Sequence, residues 1–367
     1  MFTHRLVFPA SVLRGRGAIL HLGRMCGRLG QRAILIGGKR AIAFVEPQVI
    51  EQLSESMMWY AGSEWYGGEC SEQHIYRLAD IVQRQGIEVI IATGGGRALD
   101  TAKAAGVVSN IPVVTLPTVA ATCSAITPIA FRYHDDGVFR DMFHLASGPA
   151  AAVIDADLLA RSPLISFSAG LGDTLAKWYE YRAISDINKL QGLAGVVRTN
   201  SELCFTLIEN FAADACLALE QGKANAALEQ VLDAIFLYAG LTSIMSNGGH
   251  TAAAHALYDG FTAIPKTRQI PHGLLVGFGN LCLLALEGRD DQQLLAALAL
   301  ARACSIPLTL DEVADDLTPD ERRAIISRAL VAPDMKNMPF SVTEEMMEGA
   351  IARITALAGE IAPFGRE

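Results

Sequence analysis

Residues 87–103 constrain the fold more than any other stretch of the chain. An apolar, β-branched run, Val89-Ile90-Ile91-Ala92-Thr93, ends in Gly94-Gly95-Gly96 and passes into Ala98-Leu99-Asp100-Thr101-Ala102-Lys103, a series of good helix formers. A strand buried on both faces, a glycine turn and a helix form part of a parallel βαβ arrangement. Glycines at such a turn let the backbone approach a ligand closely, and the helix N-terminus presents N–H groups to an anion. A phosphate or pyrophosphate cradle is one reading. A tight turn that needs glycine only for steric reasons is the other. The three glycines are contiguous, so the motif is not the G-x-G-x-x-G of a Rossmann first turn.

The same rhythm extends through the first 160 residues. Residues 32–36 read as a strand ending at Gly37-Gly38, residues 47–56 as a helix and 57–61 as a strand. Residues 71–85 read as a helix beginning at Ser71-Glu72, and 111–118 as another buried strand. Phe131-Arg132-Tyr133, Asp135-Asp136-Gly137 and Val138-Phe139 predict a hairpin, and residues 150–154 a last strand. This predicts a doubly wound, Rossmann-like parallel sheet with ligands at the carboxyl ends of its strands. After about residue 160 the strand signal gives way to helical segments at 190–219, 224–245, 250–258, 272–286 and 292–303. Thr318-Pro319-Asp320-Glu321 and Ser341-Val342-Thr343-Glu344 are capping-box starts. An α/β N-terminal domain and an all-α C-terminal domain are therefore expected, divided between 155 and 165.

Composition narrows the partners. At 367 residues the chain can build two cores, and 51% hydrophobic residues against 19% charged implies a heavily buried interior or subunit contacts, so a homo-oligomer is expected. The net charge is −9, and no lysine- or arginine-rich cluster occurs; nucleic acid and anionic membrane are not expected partners. The start lacks a secretory core, and the apolar run at 281–286 with its flanks is too short to span a bilayer. Seven scattered cysteines with no C-x-x-C pair fit buried thiols in a reducing cytoplasm.

Three stretches of the helical half carry chemistry. Gly170-Leu171-Gly172-Asp173 places an acid after what reads as a glycine-flexed helix entry. Ala252-Ala253-Ala254-His255 puts a histidine in an alanine-lined helix, and Ile270-Pro271-His272-Gly273 opens an apolar helix with a histidine. One carboxylate and two imidazoles suit a divalent metal with an open coordination position. Taken singly, each has a plainer explanation: Asp173 as an N-cap, His255 as a core histidine, His272 as a capping residue.

In the same order and setting, Gly94-Gly95-Gly96 with Asp100-Thr101-Ala102-Lys103, Leu116-Pro117-Thr118, Gly170-Leu171-Gly172-Asp173, Ala253-Ala254-His255 and His272-Gly273 resemble the iron-containing alcohol dehydrogenase superfamily, most closely its glycerol dehydrogenase branch. The likeness covers nearly the whole chain. It implies a dehydroquinate synthase-like fold, with a nicotinamide-cofactor domain over 1–160 and a helical metal-binding, catalytic domain over 161–367. It implies Asp173, His255 and His272 as metal ligands. As cofactor contacts it implies Gly94, Gly95, Gly96, Thr118, Thr127, Ile129 and Tyr133; Gly38 and Lys39, at the end of the second strand, and Asp100, on the helix after the glycine turn, are further candidates.

Two departures from the family pattern shape the substrate expectation. Iron-binding members carry a histidine where Lys177 stands, so zinc rather than iron is expected. Glycerol dehydrogenases carry an aspartate where Cys123 stands, and the surrounding Ala121-Thr122-Cys123 and Thr127-Pro128 resemble bacterial hydroxycarboxylate dehydrogenases. With Lys177 as a cation for a carboxylate, a structural ion pair with Glu180 or Asp173 being the other reading, and with Arg132 in the hairpin as a second candidate cation, the expected reaction interconverts small 2-oxo acids and 2-hydroxy acids. Glycerol or another polyol is the alternative, ahead of a dehydroquinate synthase-type lyase or a non-catalytic nucleotide-binding protein. The second strand ends in Gly37-Gly38-Lys39-Arg40 without an acid, so NADP(H) is expected over NAD(H).

Overall fold

The computed structural model describes residues 5–185 and 192–361. The chain divides into two compact units, Met1–Pro163 with Ala218–Leu232, and Leu164–Leu217 with Asp233–Glu367. Helical periodicity alone does not disclose that residues 218–232 pack with the first unit.

The first unit is built on a six-stranded sheet of order β1-β8-β5-β4-β2-β3, with every pairing parallel. Its strands are β1 (Val12–Gly15), β2 (Arg32–Gly37), β3 (Trp59–Trp65), β4 (Val89–Gly94), β5 (Val113–Pro117) and β8 (Ala151–Asp155). β4, β5 and β8 are buried along their whole length, which is why they read as unbroken apolar runs. From β2 the chain steps outward to β3, then returns to the other side of β2 as β4. This reversal sets the carboxyl ends of β2 and β4 side by side, with Gly37 opposite Thr93. Open parallel sheets bind ligands at such a switch point. Between β5 and β8, β6 (Ile129–Tyr133) and β7 (Phe139–His144) form an antiparallel hairpin, turning through Gly137 at φ 82°.

Two local expectations change. The helix after β2 starts at Lys39 and not at Pro47, and runs through Pro47 to Glu55. Proline removes one N–H from the helix, but Val45, Val49 and Leu53 on the same helix are fully buried in the core against the sheet, and that burial keeps it continuous. β1 has no counterpart among the expected strands. Four residues give too short a pattern to register, and its partner β8 lies far along the sequence.

The second unit has no strand among its described residues. Leu190 and Gln191, expected to begin a helix, lie outside the described residues; the helix is described from Leu193 to Glu220. The segment Ala226–Met245, π-helical over Asp233–Tyr238, is long and apolar enough to cross a bilayer, but two-thirds of it (67%) is buried within the chain. Thr318 and Glu321 form the expected capping box. At the last helix Thr343, and not Ser341, is the cap, accepting from Met346 N–H.

Candidate functional site

Asp173 does not follow a helix entry. It lies in the middle of the helix Leu164–Ile184, and Gly172 beside it serves a different need. A Cβ on Gly172 would stand 2.0 Å from the carbonyl oxygen of Gly273, and one on Gly273 would stand 1.8 Å from that of Ala169. Glycine at both positions lets the backbone of the helix His272–Leu286 touch that of the Asp173 helix. The contact carries His272, the first residue of its helix, to Asp173. Asn280 reinforces it by donating from Nδ2 to Gly172 O at 3.0 Å. His255 arrives on a third helix, Ala253–Thr262.

Asp173 Oδ1 lies 3.6 Å from His255 Nε2 and 3.7 Å from His272 Nε2, and the donor atoms of all three residues lie within 4.8 Å of one another. These separations are too long for hydrogen bonds and suit donors turned toward a common centre. Among the described residues no other group of three His, Cys, Asp or Glu donors gathers in this way. The His272 side chain is 32% exposed against 7% for Asp173, so the cluster is reached from the His272 side.

The charges set which donors are ready to ligate. Burial by itself would raise the pKa of the Asp173 carboxyl, but the Lys177 ammonium and the two imidazoles outweigh it and hold the group well below the usual carboxylate range. Burial would lower the pKa of His255, yet Glu180 and Asp173 raise it to about 10, so the metal-free ring is protonated on both nitrogens and must give up its Nε2 proton to act as a ligand. His272 is lowered by burial and stays neutral, the form in which imidazole is a ligand. The chemistry of this donor set fits a divalent metal.

Lys177 is buried and committed. Its Nζ donates to Asp173 Oδ1 at 3.2 Å and lies 3.3 Å from His250 Nε2. Burial and the Lys177 cation lower the His250 pKa far below its ordinary value, so the imidazole is neutral and accepts from the ammonium. The sequence reading missed Glu180. Fully buried, it takes His255 Nδ1 at 2.6 Å on Oε2, and the backbone N–H groups of Ala252 (2.7 Å) and His255 (3.0 Å) on Oε1. The signal was available: Asp173, Lys177 and Glu180 are spaced i, i+4, i+7, a polar stripe on one face of an apolar helix.

In the first unit the glycine turn sits at the switch point. Gly94 has φ 127°, and Gly95 and Gly96 lead into the helix Gly96–Ser109, whose N-cap position is Gly95 with no side-chain cap. A Cβ at Gly95 would stand 3.1 Å from Val119, one at Gly96 3.1 Å from Thr122 Oγ1, and one at Gly94 3.6 Å from Gly38 N. The turn, Gly38 and the loop after β5 thus line one short stretch of backbone. Thr118 donates its N–H to Gly94 O at 3.2 Å.

Asp100 is buried and faces inward. It accepts from Ser124 Oγ at 2.5 Å and Phe131 N at 3.1 Å, and pairs with Lys103 Nζ at 2.8 Å. Lys103, also buried, donates to the carbonyls of Ser124, Thr127 and Ile129 at 2.8, 2.9 and 2.7 Å. Asp100 and Lys103 therefore hold the loop that carries Cys123, Thr127 and Ile129. Cys123 is buried in the 3-10 turn Cys123–Ala125, and Tyr133 lies on β6 beneath the Arg97 guanidinium at 4.9 Å. Lys39 is exposed at the end of β2, its Nζ 4.6 Å from the centre of the Trp65 ring.

Comparison with known proteins agrees with this picture. A family model described as iron-containing alcohol dehydrogenase matches residues 9–156. The chain is 31% identical over 351 residues to a glycerol dehydrogenase of Pseudomonas putida, covering 94% of each. It is 30% identical over 357 residues to hydroxycarboxylate dehydrogenase A of Escherichia coli K12, covering 95% of this chain and 96% of that one. The crystal structure of a probable glycerol dehydrogenase from Sinorhizobium meliloti 1021 matches with a TM-score of 0.83 at 27% identity, over 98% of this chain and 100% of that one. Fold, relatives and donor cluster define an oxidoreductase acting on CH–OH groups. The chain belongs to the iron-containing alcohol dehydrogenase family, in its glycerol dehydrogenase-like branch.

Proposed function

We propose that the chain is a metal-dependent NAD(P)H dehydrogenase interconverting small neutral polyols and the corresponding hydroxycarbonyls. In this reading Asp173, His255 and His272 hold one divalent metal, zinc rather than iron because the ammonium of Lys177 cannot be a ligand. When bound, such an ion supplies Lewis-acid polarisation of the substrate oxygen, and the nicotinamide supplies hydride chemistry. Gly94, Gly95 and Gly96 present backbone N–H groups to the cofactor's pyrophosphate, with Gly38, Thr118, Thr127, Ile129 and Tyr133 around it. Asp100 acts there through the loop it holds.

The observation that carries the choice of a neutral substrate is the commitment of the two cations that the sequence offered for a carboxylate. Lys177 is taken by Asp173 and His250. Arg132 is clamped by both oxygens of Asp141, at 2.7 and 2.8 Å, and by Glu72 at 3.1 Å. Glycerol dehydrogenases among the relatives support the same class. Small 2-oxo acids are the second reading, favoured by Cys123, which removes a carboxylate that would repel an anion. Steady-state kinetics with zinc-loaded protein and both cofactors decide between them. Glycerol oxidation or dihydroxyacetone reduction should outpace turnover of 2-oxobutanoate and 2-oxoglutarate; the reverse order rejects the polyol reading. Cys123→Asp should suppress any keto-acid rate more than the dihydroxyacetone rate.

A further inference from the structure

We infer that Glu180 is the positioning residue of the metal centre, a carboxylate that sets the ring orientation and tautomer of His255 and thereby the affinity for the metal. The inference rests on the metal reading above and adds a residue to it. His255 has two ring nitrogens, and only one can face Asp173 Oδ1. The 2.6 Å contact of Nδ1 with Glu180 Oε2 places a proton on Nδ1, so Nε2, on the side of Asp173, is the nitrogen that gives up its proton to a metal. A ligating imidazole whose other nitrogen donates to a carboxylate is held in one rotation and is the better electron donor.

The second oxygen of Glu180 makes the placement stiffer. The helix that carries His255 has Ala252 at its N-cap position, whose side chain cannot cap it, and Glu180 Oε1 accepts the N–H groups of Ala252 and His255 in its place. One carboxylate therefore fixes both the ring and the backbone that bears it. Glu180 itself belongs to the helix of Asp173, two turns further on. Through it, the Asp173 helix sets the position of His255 as well as that of its own ligand.

Zinc affinity of the metal-stripped protein, measured by chelator competition, tests this in the parent, Glu180→Gln, Glu180→Asp and Glu180→Ala, beside the thermal midpoint of each metal-free protein. Glu180→Gln keeps shape and an amide oxygen for the backbone but loses the charge; it should lower zinc affinity at least tenfold with the metal-free midpoint nearly unchanged. Glu180→Asp should recover part of that loss, and Glu180→Ala should lower both quantities. Parent-like zinc affinity in Glu180→Gln overturns the inference while leaving the metal reading intact. A parent that binds no zinc overturns both. A measurement that needs no variant is 15N NMR of the zinc-loaded parent with labelled histidine. A His255 proton on Nδ1 is the expected result, and one on Nε2 refutes the assignment.

Discussion

Asp173 Oδ1 is the atom on which the second unit converges: His255, His272 and Lys177 all turn a nitrogen toward it. His255→Ala removes one donor and should abolish stoichiometric zinc with the far-UV spectrum close to the parent's, while the thermal midpoint of the metal-free protein falls because the buried Glu180 carboxylate loses its partner. Elemental analysis checks this, and full zinc in the variant would reject the ligand set. At the other end of the reaction, Lys39 is exposed beside Trp65 and no acid closes β2, so a 2′-phosphate would meet a cation there. Lys39→Ala should reduce the ratio of catalytic efficiencies for NADPH over NADH about tenfold or more, since hydrogen bonds to charged groups contribute ~1.5–3 kcal/mol. An unchanged ratio in steady-state kinetics would remove Lys39 from cofactor selection. The residue types were legible in the sequence. Their partners were only partly so: the spacing of Asp173 and Lys177 offers an ion pair beside the substrate role, but His250 as the second partner of Lys177 emerges only in the fold.

Elements carry the geometry that brings distant residues together. Gly172 and Gly273 look like flexible punctuation in the sequence, but each stands where a Cβ would strike a carbonyl of the facing helix. Gly172→Ala must push the two helices apart, and the cost should reach or exceed ~1–3 kcal/mol, the usual range for overpacking. Chemical denaturation should show a lower midpoint, and zinc affinity should fall with it because His272 rides on the displaced helix. The α/β rhythm and the hairpin were readable because buried parallel strands leave apolar runs bounded by turn residues. The continuation of a helix through Pro47 was not, because the burial of Val45 and Val49 that maintains it depends on the whole sheet. Asp100 likewise looks like a ligand contact in a motif, yet its partners, and those of Lys103 beside it, include loop atoms 21–31 residues away. Lys103→Met would leave Asp100 charged and unpaired in the interior and should cost about 3–5 kcal/mol. Hydrogen exchange should report the loss as faster exchange in residues 123–131.

At the scale of the molecule, fold class and family are secured by a pattern that runs the length of the chain, whereas the choice of substrate proposed above rests on a few positions. That asymmetry is physical: a sheet is specified by dozens of buried side chains, and selectivity among small alcohols by one or two contacts. The division of the chain into its two units has a consequence for how the protein must be made. The first unit is not one continuous segment, since it takes in Ala218–Leu232 after more than fifty residues that belong to the other unit. Within it, Glu229 approaches Arg14 at 4.0 Å, and its helix packs on the short helix Ala156–Leu159. A chain emerging from the ribosome therefore cannot complete its N-terminal body when residue 163 appears; completion must wait for residue 232, by which time residues 164–217 of the second unit, Asp173 among them, have been synthesised. Ribosome-stalled chains ending well past residue 163 but before residue 218 should remain sensitive to protease in the β1 and β8 region, and should become resistant once residues 218–232 are exposed. Birth order alone would finish the N-terminal unit first, and the threading of the chain ties its completion to the synthesis of residues 164–217 of the other unit.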